Sequence, residues 1–312
     1  MEKRLNKTWS QWILAPVLVL LSAAWSFGQQ SPQPNSASPQ QSQPPAQSQP
    51  APSLRNPPGA QPAAPAVSPA ETQAYEAIEK ELDPDKQLQL VQSFEKQFPN
   101  SVLLSDVYFM GGGAAERKND VPDAVKYGEA SLKLQPNNLR SLILVAGLLP
   151  LPQALQGTTD QKAQQLTAAE DDANRALQMI PNIPHQANIP EDQFERGKKI
   201  VEAQLHSALG MAHLEKAILT PGTPVSAELS SAEQEYKAAV TSPQPESQDY
   251  YRLGEVYTRE SKWDDAISAF TQAAQLGQGT MIQKYADGMI QKVKAQETKA
   301  PSSPPATPPA KH

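Results

Sequence analysis

The sequence predicts an all-α fold, a solenoid of about five stacked helical hairpins closed by a terminal helix. In the stretch 248–278, apolar residues follow two successive helical periods separated by a short polar break. A small–aromatic–small pattern recurs after 34 residues, first as Ala232, Tyr236 and Ala239 and then as Ala266, Phe270 and Ala273. Segment 71–296 shows almost no apolar alternation of the strand type, so we expect helices throughout it.

The first 28 residues have the composition of an export signal. Basic residues at the start precede the apolar run Ile13–Ala24, and small residues near Gly28 predict cleavage after that residue. The alternative is an uncleaved anchor in the inner membrane. Trp12–Phe27 is only 16 residues long, whereas a membrane span needs about 20. The sequence therefore predicts an exported protein, periplasmic or secreted.

Two proline-rich segments flank the predicted helical domain. Residues 29–70 contain 12 of the 31 prolines, a single charge at Arg55 and no aromatic residue, and residues 297–312 repeat this composition. Such segments cannot bury enough apolar surface to offset their chain entropy, so both are predicted to be disordered. The chain has no cysteine, which excludes a disulfide, a lipid-modified N-terminal cysteine and a cysteine metal site.

The first predicted hairpin pairs helices over 71–82 and 85–98. Its apolar seam is expected to bring Tyr75, Ile78 and Leu82 against Leu88, Val91 and Phe94. Pro99 ends the second helix because proline cannot continue it.

The second hairpin, 102–136, differs from the last one by its glycines. Gly111–Gly113 replace a Leu-Gly pair, and Gly128 stands where the last hairpin has Phe270. Glycines inside a helix predict a close backbone approach, either by a neighbouring helix or by a ligand.

The third and fourth hairpins carry insertions. The third is expected to pair an apolar helix at 139–149 with a helix at 167–180, and its connection is 11 residues longer than that of the last hairpin. The fourth pairs a long helix at 191–219 with one at 226–240, and its connection is 10 residues longer. Such insertions extend a loop and leave the stack intact.

A helix at 279–295 is predicted to cover the open end of the stack. Its inward-facing residues are expected to be Met281, Tyr285, Met289 and Ile290.

The clearest hairpin, 247–280, resembles the tetratricopeptide repeat. The matching residues are Tyr250, Leu253, Gly254, Tyr257, Ala266, Phe270 and Ala273, with the aromatic, Leu-Gly and Ala-x3-Phe spacing of that family. The Phe98-Pro99-Asn100-Ser101 break is similar to that between tetratricopeptide units of bacterial envelope proteins. The resemblance implies a stacked-hairpin solenoid that binds proteins.

The sequence predicts no enzymatic chemistry, no cofactor and no metal site. Two of the four histidines, His206 and His213, are seven residues apart on one helix, too distant for one metal ion without other ligands. Segment 1–28 carries a net charge of +2 within a total of −6, so the remainder is at −8. An acidic chain without a basic cluster argues against nucleic acid as a partner.

In tetratricopeptide proteins the first helix of each hairpin lines a concave groove that holds partner segments. When the groove positions of that family are transferred to this sequence by their position around the helix, the candidates that face the groove are Phe109, Glu116, Arg117, Arg140, Ile143, Met211, Glu215, Tyr251, Glu255 and Arg259. The arginines among them are expected to hold a carboxylate, and the aromatic residues to serve as apolar anchors.

The function expected from the resemblance is a non-catalytic scaffold that binds a protein or peptide, with components of the cell envelope as partners. One alternative is an adaptor anchored in the membrane by its uncleaved N-terminal helix. Another is a small-ligand binder or enzyme that uses Gly111–Gly113 and the inserted loops.

Overall fold

The computed structural model describes residues 67–185, 187–219 and 225–298. Over these ranges the chain forms eleven α-helices, one short 3-10 helix and no β-strand. The α-helices are α1 Pro69–Lys80, α2 Pro84–Gln97, α3 Leu104–Arg117, α4 Val121–Leu134, α5 Leu139–Leu148, α6 Thr159–Met179, α7 Glu191–Leu219, α8 Val225–Ala239, α9 Ser247–Arg259, α10 Trp263–Leu276 and α11 Met281–Glu297. The predicted export signal, the tail after Thr298, nearly all of the first proline-rich segment and residues 220–224 lie outside the described residues.

The helices pair as five consecutive hairpins, α1 with α2 through α9 with α10, and α11 packs on α10. Each hairpin contacts the next through its second helix, and the first helices also contact one another in the order α1, α3, α5, α7, α9, α11. We call this series the first-helix row. The all-α, tetratricopeptide-like solenoid predicted from the sequence is confirmed.

Local sequence sets the helix ends. Ser68 accepts a hydrogen bond from the backbone of Glu71, whose carboxylate accepts one in return, so α1 begins with a capping box. Thr158 and Gln161 form the same box at the start of α6. The helix α6 starts eight residues earlier than predicted, so part of the connection inserted in the third hairpin is helix and not loop.

In the last two hairpins an aromatic side chain covers a glycine of the first helix. A Cβ on Gly254 would lie 2.8 Å from the ring of Phe270, and one on Gly210 would lie 3.0 Å from the ring of Tyr236. Phe270 and Tyr236 are completely buried. These contacts explain why these two hairpins have glycine in the first helix and an aromatic residue in the second.

The glycines of the second hairpin also serve helix packing. A Cβ on Gly112 would lie 2.5 Å from Leu144, and one on Gly128 would lie 2.5 Å from Val145 of the same following helix. Gly111 lies against Tyr127 in the same way. Of the two approaches predicted for Gly111–Gly113, by a neighbouring helix or by a ligand, the structure shows the first. The segment is buried within α3, and side chains of neighbouring helices pack against it, which argues against a ligand-binding role.

Three residues predicted to face the apolar interior are more exposed than predicted. Leu82 is 86% exposed because α1 ends at Lys80 and Leu82 falls in the connection before the α2 cap Asp83. Leu88 is only half-buried. Met281 is 50% exposed because it is the first residue of α11, and the buried side chains of that helix are Ala286 and Val293.

The described helices include none that is both long enough and apolar enough to cross a membrane.

Candidate functional site

A cleft opens on the first-helix row between α5, α7 and α9. It encloses about 720 Å³, counting the space at its open mouth. Its walls are Gly147 and Leu151 from the α5 side, Gln204, Ser207, Ala208 and Met211 from α7, and Glu246, Gln248, Asp249 and Arg252 from the α9 side. The lining thus combines an apolar wall with converging polar groups, as in many binding sites.

Asp249 is the most deeply buried charged group of this cleft, with 5% of its surface exposed. It lies in the first turn of α9, and Ser207 of α7 donates a hydrogen bond to its Oδ1. The pKa of Asp249 is raised to about 7, mainly by burial and to a lesser extent by the nearby Glu246 carboxylate, against the lowering effect of the Ser207 hydrogen bond. Near neutral pH this side chain therefore exists in both protonation states.

One buried hydrogen-bond acceptor without a donor and a second carboxyl face the same space. The amide oxygen Oε1 of Gln204 is buried and receives no hydrogen bond from any residue that the structure describes. Glu246 stands beside Asp249, and removal of its carboxyl from water raises its pKa. A ligand that donates hydrogen bonds would satisfy these groups, because a buried acceptor without a donor costs about 1–3 kcal/mol.

The arginine of the cleft is already engaged. Arg252 donates from Nη1 to Glu255 Oε2 at 2.6 Å, and both side chains are more than four-fifths buried. Burial also raises the pKa of Glu215, against the influence of Arg252 and Arg259. One side of the cleft is therefore a network of compensated charges.

Three of the predicted groove residues are not on the surface, which corrects the sequence prediction. Phe109, Glu116 and Ile143 are only 2–3% exposed. Successive first helices contact one another, so in the second and third hairpins the face predicted to be open is filled by the neighbouring helix. Burial without a hydrogen bond to Glu116 Oε1 raises the pKa of that carboxyl to about 8.

The predicted role of Arg140 in an arginine clamp is wrong, because it pairs with a buried carboxylate of the chain, whereas the roles of the exposed Arg117 and Arg259 stay predictions. Arg140 pairs with the fully buried Asp106 at 2.6 Å and lies 4.8 Å from the ring centre of Phe109. Arg117 is exposed but donates to Gln87 and to a backbone oxygen of its own helix. Arg259 is exposed and donates to the backbone of Glu255.

The remaining candidates lie at or near the cleft. Met211 lines it, Glu255 binds Arg252, and Glu215 is within electrostatic reach of that pair. Tyr251 is half-buried, with its ring edge-to-face on Phe270 at 5.3 Å between centroids. The residues predicted from the sequence do not include Gln204, Ser207, Glu246, Asp249 and Arg252, although Ser207 holds on α7 the register position that Tyr251 holds on α9.

No protein-family model and no curated protein matches the chain. Among solved structures, it is similar to TTC0263, a thermophilic tetratricopeptide protein of Thermus thermophilus, with 14% identity, a TM-score of 0.41, and coverage of 72% of this chain and 96% of that one. The MamA RS-1 ArsTM double mutant is similar at 15% identity and a TM-score of 0.39, covering 68% and 96%. A tetratricopeptide protein of Parabacteroides merdae follows at 13% identity and a TM-score of 0.28, covering 72% and 96%. At these values the fold assignment rests on the helix contacts of this chain.

Proposed function

We propose that this protein is a non-catalytic scaffold that binds a segment of a partner protein in the cleft between α5, α7 and α9. A lysine or arginine side chain of the partner enters the cleft and makes the main contact. The observation that carries it is the set of acceptors around the buried Asp249.

A cationic side chain matches both parts of the lining. Its nitrogen would donate to Asp249, Glu246 and Gln204 Oε1, and hydrogen bonds to charged groups contribute about 1.5–3 kcal/mol each. Its methylene stem would lie along Leu151, Ala208 and Met211, because long basic side chains bury their stems against apolar surface. An anionic ligand would instead meet two carboxyl groups and an arginine already bound to Glu255.

The lining supports binding more than catalysis. Ser207 contacts a carboxyl directly, with no histidine between them in the described lining to act as a general base. The cleft lies on the first-helix row, the face along which a repeat protein presents an extended surface to a partner segment.

We further propose that the scaffold works outside the cytoplasm, in the periplasm or secreted, with envelope components as partners. The support is the composition of residues 1–28, the proline-rich segment 29–70, and the acidic remainder of the chain. If the N-terminal segment is retained, the same scaffold would be anchored in the inner membrane.

Site-specific photo-crosslinking in cells tests the proposal. A crosslinking amino acid at Gln248, in the cleft wall, is compared with one at the exposed Gln272 of α10. We expect adducts from position 248 alone, and mass spectrometry should place them next to a lysine or arginine of the partner. The adducts should be lost in a Glu246→Gln, Asp249→Asn chain of unchanged helical content.

Equal adducts from both positions would contradict a specific cleft. Adducts only to segments without basic residues, or no adduct, would overturn the proposed contact. A co-purifying small amine in place of a protein adduct would instead assign the cleft to a small ligand.

A further inference from the structure

Three metal-ligand side chains from three different helices meet away from the cleft. They are Glu170 of α6, His213 of α7 and Glu228 of α8, and one ligand atom of each lies within 4.8 Å of the other two. All three side chains are partly buried, with Glu170 the least exposed at 14%. His213 and Glu228 meet by the pairing of α7 with α8 within the fourth hairpin, and Glu170 is added by the stacking of the third hairpin on the fourth.

The hydrogen bonding of this cluster is incomplete. His213 Nδ1 lies 2.7 Å from Glu228 Oε2 and 3.3 Å from Glu170 Oε1, so two carboxylate oxygens converge on one ring nitrogen. That nitrogen carries at most one proton and can donate to only one of them. Glu170 Oε1 is buried and receives no hydrogen bond from a described residue.

We propose that Glu170, His213 and Glu228 bind one divalent transition-metal ion of the Zn²⁺ class. An ion held by Nδ1 and by one oxygen of each carboxylate would satisfy all three groups. Tetrahedral ligands at about 2.1 Å from zinc are about 3.4 Å apart. Of the observed separations, 3.3 Å is close to that value, 2.7 Å is shorter, and the two carboxylate oxygens lie within 4.8 Å of one another, so binding would require the side chains to adjust around the ion.

The charge of the surroundings fits a dication. Two carboxylates and the ammonium of Lys216, which binds Glu170 Oε2, leave one net negative charge when the imidazole is neutral. Lys216 bonds the oxygen of Glu170 that points away from His213, so it orients the ligand in the manner of an outer-sphere partner. The imidazole nitrogen favours Zn²⁺ over Mg²⁺ or Ca²⁺, which prefer oxygen ligands.

The same pair of helices contains a natural control. His206 Nδ1 lies 2.7 Å from Glu235 Oε2. On α7, His206 stands seven residues before His213, and on α8, Glu235 stands seven residues after Glu228. Only the His213 cluster has a third ligand within reach among the described residues, and α6 supplies it. A bound ion would therefore link α6 to the fourth hairpin, whereas the His206 pair would not bind one.

Metal titration of the full chain, without an affinity tag and stripped by a chelator, tests the proposal. Calorimetry with Zn²⁺, and visible absorption with Co²⁺, should show one site in the wild type and in His206→Ala. His213→Ala should weaken binding by about tenfold or more and abolish the Co²⁺ bands. Zn²⁺ should also raise the thermal unfolding midpoint of the wild type and not that of His213→Ala.

Unchanged binding in His213→Ala, or no binding by a folded wild-type chain, would overturn the site. Where His213→Ala fails to fold by circular dichroism, Glu228→Gln replaces it, because that ligand is the most exposed of the three. Tighter binding of Mg²⁺ than of Zn²⁺ would contradict the role of the imidazole.

Discussion

The ring of Phe270 occupies the space that a side chain on Gly254 would need. A Cβ at Gly254 would lie 2.8 Å from that ring, and the ring is fully buried in the core of the last hairpin. Because the ring is fixed by its surroundings, it cannot move aside without disturbing other packed residues.

Gly254→Ala is therefore expected to lower the free energy of unfolding by about 1–3 kcal/mol, although alanine favours helix more than glycine does. The matched control is Gly288→Ala in α11, where an added Cβ would meet nothing within 4 Å. That change should raise the free energy of unfolding by up to about 1 kcal/mol. Urea denaturation of both variants checks the opposite signs, and stabilisation by both would contradict the packing role of Gly254.

The contact of Gly254 with Phe270 could be predicted from the sequence because both residues belong to one hairpin at the repeat spacing. The second hairpin could not be predicted in the same way. Gly128 stands in the aromatic position, and its space is filled by Val145 and Leu144 from the following hairpin. Packing between units depends on side chains that no spacing within one unit reveals.

Arg140 is predicted to be structural and not part of a binding surface. It pairs with Asp106, whose side chain has no exposed surface, so Arg140→Ala would leave a buried carboxyl without its counter-charge and with the Asn138 hydrogen bond as its remaining contact. We expect the free energy of unfolding to fall by about 3–5 kcal/mol. Lys80→Ala, which removes the exposed pair with Glu76, should change the free energy of unfolding far less. Equal, small losses in the two variants would show that the fold does not depend on Arg140.

Helix phase predicted part of the lining of the cleft but not the burial of the first helices around α3. Counted from Ala146, Gly210 and Gly254, some of the lining residues hold register positions of predicted groove residues: Gly147, Leu151, Gln204, Ser207, Met211 and Gln248. The other four, Ala208, Glu246, Asp249 and Arg252, do not. Close packing of consecutive first helices buries the predicted positions around α3, whereas a cleft remains between α5, α7 and α9. Likewise, spacing along one helix predicted no metal site, because the carboxylates near His213 come from two other helices.

Glu116 should make the stability of the protein depend on pH. Burial raises its pKa to about 8 from an ordinary 4.5, so the folded state binds its proton more tightly than the unfolded state. The free energy of unfolding should then decrease as pH rises from about 4.5 to 8, by at most about 1.4 kcal/mol per pH unit.

Glu116→Gln keeps the shape without the charge, so it should flatten this dependence and be more stable than the wild type above pH 8. Urea midpoints from pH 4 to 9 measure the effect. Asp249, with a pKa of about 7, contributes in the same direction over part of this range, so the share of the slope between pH 7 and 8 that Glu116→Gln removes is the share that Glu116 supplies. An unchanged slope in that interval would contradict the assignment.

Asp249 should make cation binding in the cleft stronger at higher pH. Its pKa is about 7, so it is mostly protonated at pH 6 and mostly ionised at pH 8, and only the ionised form pairs with a cation. For a blocked Gly-Arg-Gly peptide, titrated by NMR, we expect affinity to rise by up to about tenfold over that interval. The blocked Gly-Gln-Gly peptide should show no such rise.

Two variants separate Asp249 from other groups that titrate near neutral pH. Asp249→Asn should bind the arginine peptide weakly and equally at pH 6 and 8. Ser207→Ala removes the hydrogen bond that lowers the pKa of Asp249, so the rise in affinity should shift to higher pH. Since Ser207 carries no charge, a shift in that direction can arise only through the carboxyl that it contacts. A rise that stays in place in Ser207→Ala and persists in Asp249→Asn would assign the pH dependence to another group.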